Sequence, residues 1–398
     1  MMENLWSANT PARFWQCHVD VPKDEWQVAI QNATPVLGSS FAPSDTDELL
    51  ALVLGEAQFG PGHWRLSPAK RLYYTCKPVL PRALTYFLRR IHRLHAQADS
   101  RLGWPVEDRY ARFLWEVIRQ LLITTGRDSL SFTHFWPKRR QFAFVLTHDV
   151  ETDKGQAYVR AVADLDESSG FRSSFNFVPE RYSLDTGLIE ELRQRGFEVG
   201  VHGLNHDGKL FSSHTEFKRR AERINHHLRA LGAVGFRSPL THRHPEWMQA
   251  LDIEYDLSFF DTDPLEAMPG GVMSIWPFTI GQFVELPYTL AQDCTLAVIL
   301  REATPRLWLQ KVDFVRRYHG MALVNTHPDY LRDPATWTVY ADFLQVMKSQ
   351  EEYWHALPRD VARWWNARAH TTDIESLPDA VRSRARLDTE GEIVLELE

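Results

Sequence analysis

Four side chains in two short segments have the types and spacing to do chemistry together. Asp149 and Glu151 close an apolar run, Phe142-Ala143-Phe144-Val145-Leu146-Thr147. His202 and His206 lie in Val201-His202-Gly203-Leu204-Asn205-His206. Two histidines and one carboxylate leave a divalent metal with an open coordination position, and such a site turns water into a nucleophile near neutral pH. The spacing i, i+4 puts both imidazoles on one face of a helical turn. Asp149 and Glu151 flank Val150, and in an extended segment residues two apart point the same way. One carboxylate can then bind metal while the other acts as base. Each piece alone has a plainer reading. Among 17 histidines, chance neighbours such as His226 with His227 or His242 with His244 are common, and an acidic strand end is often a helix cap or solvated turn.

Two further residues extend the set. Arg237, in Gly235-Phe236-Arg237-Ser238-Pro239, can hold a carboxylate in fixed orientation through its fork of donors. His327, in Val324-Asn325-Thr326-His327-Pro328, can protonate a leaving amine near neutral pH. Taken alone, the arginine reads as a structural ion pair and the histidine as a hydrogen-bonded loop residue.

The elements that must position these groups alternate. Short apolar runs at 142–147, 173–178, 197–201, 234–237, 255–260, 283–288 and 321–326 read as strands. Helical patterns intervene, clearest at Asp185–Arg195, His214–Leu231, Pro305–Tyr318 and Ala335–Lys348, with Asp185 as an N-cap and Gly196 as a C-terminal stop. Such alternation predicts parallel strands with helical crossovers, as a barrel or an open sheet. In α/β barrels catalytic groups gather at the C-terminal strand ends, where Asp149, His202, Arg237 and His327 all fall.

Residues 1–140 read as a mainly helical extension. One helix is expected from Pro81 to His95, decorated by Arg82, Arg89, Arg90 and Arg93, and a second from Val106 to Thr124 with Ala111, Leu114, Trp115, Ile118 and Leu121 as its core face. The basic helix could touch an anionic membrane or a partner, but a solvated basic face over a packed helix is the favoured reading. Residues 141–370 form the alternating unit. Residues 371–398 are a polar tail that ends as a late edge strand or a mobile end. With 45 basic and 52 acidic residues among 398, the formal charge of −7 carries no bias toward nucleic acid. Three distant cysteines, Cys17, Cys76 and Cys294, imply no disulfide framework. The start has no secretory pattern, and no run approaches the roughly 20 apolar residues of a membrane span. The expectation is a soluble, cytoplasmic protein.

In order, the segments resemble the polysaccharide deacetylases, the NodB-homology fold of carbohydrate esterase family four. The acidic first motif of that family, commonly Thr-Phe-Asp-Asp, is met by Thr147-His148-Asp149-Val150-Glu151. His-x-x-x-His is met by His202 to His206, Arg-x-Pro by Arg237-Ser238-Pro239, a fourth motif loosely by Tyr255-Asp256-Leu257-Ser258, and Leu-x-x-His by Val324 to His327. The resemblance spans roughly residues 140 to 365. It implies an α/β fold, a distorted (β/α)7-type barrel, and a divalent metal, usually zinc. It implies a hydrolase that removes N-acetyl groups from an amino-sugar polysaccharide or glycan, with Asp149 as general base, Arg237 as its tether, His327 as general acid, and His202 and His206 as metal ligands. The family's metal-binding aspartate directly follows the base, where this chain has Val150. Some relatives place it one residue later, which would make Glu151 the third ligand, one methylene longer, and leaves open that Asp149 binds the metal instead.

The segment Leu357–Trp365 looks like the closing element of a bacterial subgroup with unassigned substrates. Trp364 and Trp365 there read as core packing ahead of sugar stacking, and Glu285-Leu286-Pro287 and Asp293 are candidates for the pocket lining. Two rival functions remain. One is a non-catalytic carbohydrate-binding or assembly protein on the same barrel, motivated by Val150 and the basic helix. The other is hydrolysis of a non-sugar C–N bond.

Overall fold

The computed structural model describes residues 4–39, 41–64, 101–266, 268, 270–371 and 373–398. The expected basic helix Pro81–His95 lies outside the described residues. In chain order the strands are β1 (Ser129–Thr133), β2 (Phe142–Val150), β3 (Ser174–Phe177), β4 (Glu198–His202), β5 (Gly235–Arg237), β6 (Tyr255–Asp256), β7 (Phe278–Ile280), β8 (Phe283–Glu285), β9 (Met321–Thr326), β10 (Tyr353–His355), β11 (Arg382–Leu387) and β12 (Ile393–Leu397).

Continuous apolar strands belong in a parallel sheet covered on both faces. Every residue of β2, β3, β4 and β9 is buried. The parallel order is β9-β2-β3-β4-β5-β6-β8, with β10 parallel against the start of β2 and β7 antiparallel on β8. Beyond β8 the chain bridges from Tyr288 to Phe260 and from Leu290 to Val324 of β9. The sheet therefore curls back toward its first strand. This is the expected distorted (β/α)7-type barrel, with β7 and β10 added to the strands read from the sequence.

The crossover helices follow their predicted spans closely. Asp185 accepts the Leu188 N–H at 3.0 Å to cap the helix Thr186–Gln194, and Gly196 follows at φ +84°. His214–Ala230, Arg306–Arg317 and Pro334–Lys348 form the other expected helices. Among the described residues no helix is long and apolar enough to cross a membrane.

The N-terminal part contributes the helices Lys23–Ala33, Thr46–Val53 and Arg109–Thr125. The last starts three residues later than its pattern suggests. It buries Ala111, Leu114, Ile118 and Leu121, while Trp115 is half-buried and stacks on Phe135 and Trp276. β1 pairs antiparallel with β11, and β11 with β12, so the polar C-terminal residues form two strands of a small sheet. Trp364 and Trp365 are buried in packing, and Trp364 donates its indole N–H to the Phe135 carbonyl at 2.8 Å.

A buried ion pair holds an N-terminal loop against the loop that follows β5. Arg243 donates to Glu56 at 2.6 and 2.8 Å, and neither side chain is exposed. Glu56 also accepts the Gly271 N–H at 2.9 Å. Burial would raise the Glu56 carboxyl, but Arg243 and then His63 hold it down at about 2. Removing one partner leaves the other charge buried alone. Arg243→Met is expected to lower the unfolding free energy by about 3–5 kcal/mol in urea denaturation, and Glu56→Met in the same chain to recover much of it. A single variant as stable as the wild type would contradict this reading.

Candidate functional site

The candidate residues converge at the C-terminal ends of the strands. Asp149 is the penultimate residue of β2, and Glu151 lies just past it. His202 ends β4, Arg237 ends β5 and His327 follows β9. One expectation is corrected here. His202 and His206 do not share a helical turn: the chain leaves β4 and loops, with Gly203 at φ +62° and His206 at φ +53°. A Cβ on Gly203 would sit 2.3 Å from Pro239 Cγ, so this glycine lets the Arg237-Ser238-Pro239 segment pack against the loop between the histidines. The imidazoles still meet, with ring centroids 5.0 Å apart.

Glu151, His202 and His206 each offer a ligand atom, and these atoms lie within 4.8 Å of one another. His202 Nδ1 is 3.1 Å from the Arg237 carbonyl, which can only accept, so Nδ1 carries the proton and Nε2 presents its lone pair. Both His202 Nε2 and His206 Nε2 are buried without a hydrogen-bond partner. Glu151 Oε1 lies 3.0 Å from His206 Nε2, close but outside hydrogen-bond geometry. Two orphaned imidazole nitrogens facing a carboxylate fit a divalent cation of the zinc type. Burial lowers the His202 pKa to about 4 against the pull of Asp149, so the ring is neutral at physiological pH, as a ligand must be.

Asp149 is held differently. Its Oδ1 accepts from Asn176 Nδ2 at 3.0 Å and its Oδ2 from Asn325 Nδ2 at 2.9 Å. Arg237 Nη1 lies 3.4 and 3.5 Å from the two oxygens. Arg237 is fixed in turn by the Leu257 carbonyl at 2.8 Å and the Thr147 hydroxyl at 3.0 Å. Burial would raise the Asp149 carboxyl, but Arg237, then His202 and His327, keep it well below the usual carboxylate range. Glu151 is also held low, with burial opposed chiefly by His206.

His327 faces the site from the other side. Its Nδ1 donates to Asp293 Oδ1 at 2.7 Å, and its backbone N–H donates to Asp293 Oδ2 at 2.7 Å. Burial would lower this imidazole, but Asp293 foremost raises it to about 10. Its Nε2 lies 3.9 Å from Glu151 Oε1. The arrangement thus sets the His327 imidazole and the Asp149 carboxylate beside a group of three side chains that could hold a divalent cation.

Asp293, read as a pocket-lining candidate, grips His327. Glu285 is fully buried beside Asp256 and accepts the Phe259 N–H at 3.1 Å. The loosely matched fourth motif supports Arg237: Ser258 donates to Asp256 at 2.7 Å and accepts the Ser238 N–H at 2.8 Å. Sequence reasoning missed Asn176 and Asn325. Each is a single amide in a strand that also carries a hydroxyl residue, Ser174 in β3 and Thr326 in β9, so no local pattern singles it out.

Adding zinc to chelator-treated protein at about 100 times its Kd is expected to stabilise the fold by about 2.7 kcal/mol, read as a thermal shift. His206→Ala should lose most of that shift. An equal shift in both proteins would place zinc elsewhere.

No family model matches the chain, and no curated protein matches it. Among solved structures, it is similar to a putative polysaccharide deacetylase from Mycobacterium smegmatis, at 18% identity and a TM-score of 0.49 over 59% of this chain and 94% of that one. A probable polysaccharide deacetylase from Pseudomonas aeruginosa gives 14% and 0.49 over 59% and 94%. Puue allantoinase gives 14% and 0.49 over 58% and 92%.

Proposed function

We propose that the chain is a metal-dependent hydrolase that removes N-acetyl groups from an amino-sugar polysaccharide or glycan. The observation that carries this reading is a carboxylate, Glu151, facing the unpartnered Nε2 atoms of His202 and His206, beside two separately held titratable groups, Asp149 among Asn176, Arg237 and Asn325 and His327 on Asp293. The resemblance of the motifs that these residues occupy to those of the polysaccharide deacetylases implies the acetamide substrate class. When bound, a divalent cation supplies Lewis acidity toward the acetamide oxygen and toward water.

The protein's own residues divide the remaining work. Asp149, ionised throughout the physiological range, accepts a proton from the attacking water, and Arg237, Asn176 and Asn325 keep its oxygens in place. The water oxygen bonds to the acetyl carbon as the carbonyl opens to a tetrahedral oxyanion, and the C–N bond breaks as the carbonyl re-forms. His327, protonated at neutral pH and oriented by Asp293, delivers its Nε2 proton to the departing sugar amine. Acetate and a free amine leave.

Acetate release from N-acetylhexosamine oligomers, with zinc content measured in the same samples, tests this. Wild-type protein is expected to release acetate. Asp149→Asn should lower the rate by about 100-fold or more while keeping its zinc, and His327→Ala should do likewise. Loss of zinc from Asp149→Asn would instead make Asp149 a ligand. A wild-type protein that holds zinc but releases no acetate from any acetylated amino sugar would overturn the sugar assignment.

A further inference from the structure

The Val150–Glu151 peptide, where the chain departs from the usual spacing of adjacent carboxylates, is gripped at both ends. The Val150 carbonyl accepts the Tyr182 hydroxyl at 2.6 Å, and that hydroxyl lies 3.4 Å from the Val178 N–H. The Glu151 N–H donates to Asp329 Oδ2 at 3.2 Å. The other Asp329 oxygen accepts the Thr152 hydroxyl, which in turn accepts the Gly155 N–H at 3.2 Å to cap the short helix Asp153–Gln156. Asp329 reaches this turn because residue 155 has no side chain: a Cβ there would lie 2.1 Å from Asp329 Oδ2. Asp329 itself stands two residues after His327, in the helical turn Pro328–Leu331.

We propose that Tyr182 and Asp329 are positioning residues that clamp the Val150–Glu151 peptide and so fix the reach of Glu151 as the acidic ligand of a divalent cation. A glutamate has one more rotatable bond than an aspartate, so its carboxylate is placed by anchoring the backbone from which it springs. A peptide held at both its carbonyl and its N–H cannot rotate about the chain. The clamp also ties the Glu151 turn to the segment carrying His327, so ligand and acid keep a fixed separation. This inference rests on the reading of Glu151, His202 and His206 as the cation site.

Zinc affinity of the chelator-treated full-length chain, measured by competition with a chromophoric chelator, tests it. The set is wild type, Tyr182→Phe, Asp329→Ala, Glu151→Ala and the doubles pairing each clamp variant with Glu151→Ala. Thermal unfolding of the metal-free proteins reports folding, and Tyr182→Phe, which removes one oxygen, serves if Asp329→Ala does not fold. Tyr182→Phe and Asp329→Ala should each weaken zinc binding by about 10- to 100-fold. In the Glu151→Ala background neither should weaken it further, since the clamp acts through Glu151. Wild-type affinity in the clamp variants, or an equal loss with and without Glu151, would overturn the clamp. Glu151→Ala binding zinc as tightly as wild type, or a wild type that takes up none, would overturn the site reading and the clamp with it.

Discussion

The Asp149 carboxylate is buried, and a buried carboxylate has to be surrounded by donors or lose its charge. The barrel meets that demand from three strands beside its own. Asn176 comes from β3, Arg237 from β5 and Asn325 from β9, each within 3.5 Å of an Asp149 oxygen. The register supports this: Asp149 lies opposite Asn176 across β2 and β3, and Thr147 opposite Asn325 across β2 and β9. A one-residue slip would turn these amides away. The same arginine carries the tie outward, since its carbonyl holds His202 Nδ1 and thereby aims the opposite nitrogen.

The two carboxylates of the first motif are thus separated by environment. Asp149 sits inside the ring of donors with both oxygens engaged. Glu151 sits one step beyond the strand, half-buried, facing His206 and His327. Val150 is what makes this possible. In the strand its side chain turns to the opposite face, into the core, and leaves the flanking acids on one side. Asp293 acts on His327 as Arg237 acts on Asp149, with two hydrogen bonds fixing both the ring and its backbone.

Much of this was legible in the sequence. The buried strands read as apolar runs because parallel strands hide both faces, and the helices between them carry their caps in the open. The histidine pair was legible as a pair, but not its geometry: a strand end followed by a left-handed loop also closes four residues, and Gly203 was the clue. Asn176, Asn325, Tyr182 and Asp329 were not legible, because single polar residues gain meaning only from what the fold places opposite them. β7 and β10 were missed as strands, and β1 pairs with β11 across most of the chain, which no local pattern encodes; β12, at the end read as a late edge strand or a mobile end, pairs locally with β11.

The central claim is that Glu151, and not Asp149, completes the cation site with His202 and His206. Anomalous diffraction at the zinc edge from crystals of the zinc-loaded protein tests it most directly. The account predicts one peak about 2.0–2.2 Å from His202 Nε2, His206 Nε2 and a Glu151 oxygen, with Asp149 still bound by Asn176 and Asn325. A peak coordinated by Asp149, with Glu151 turned away, would contradict it.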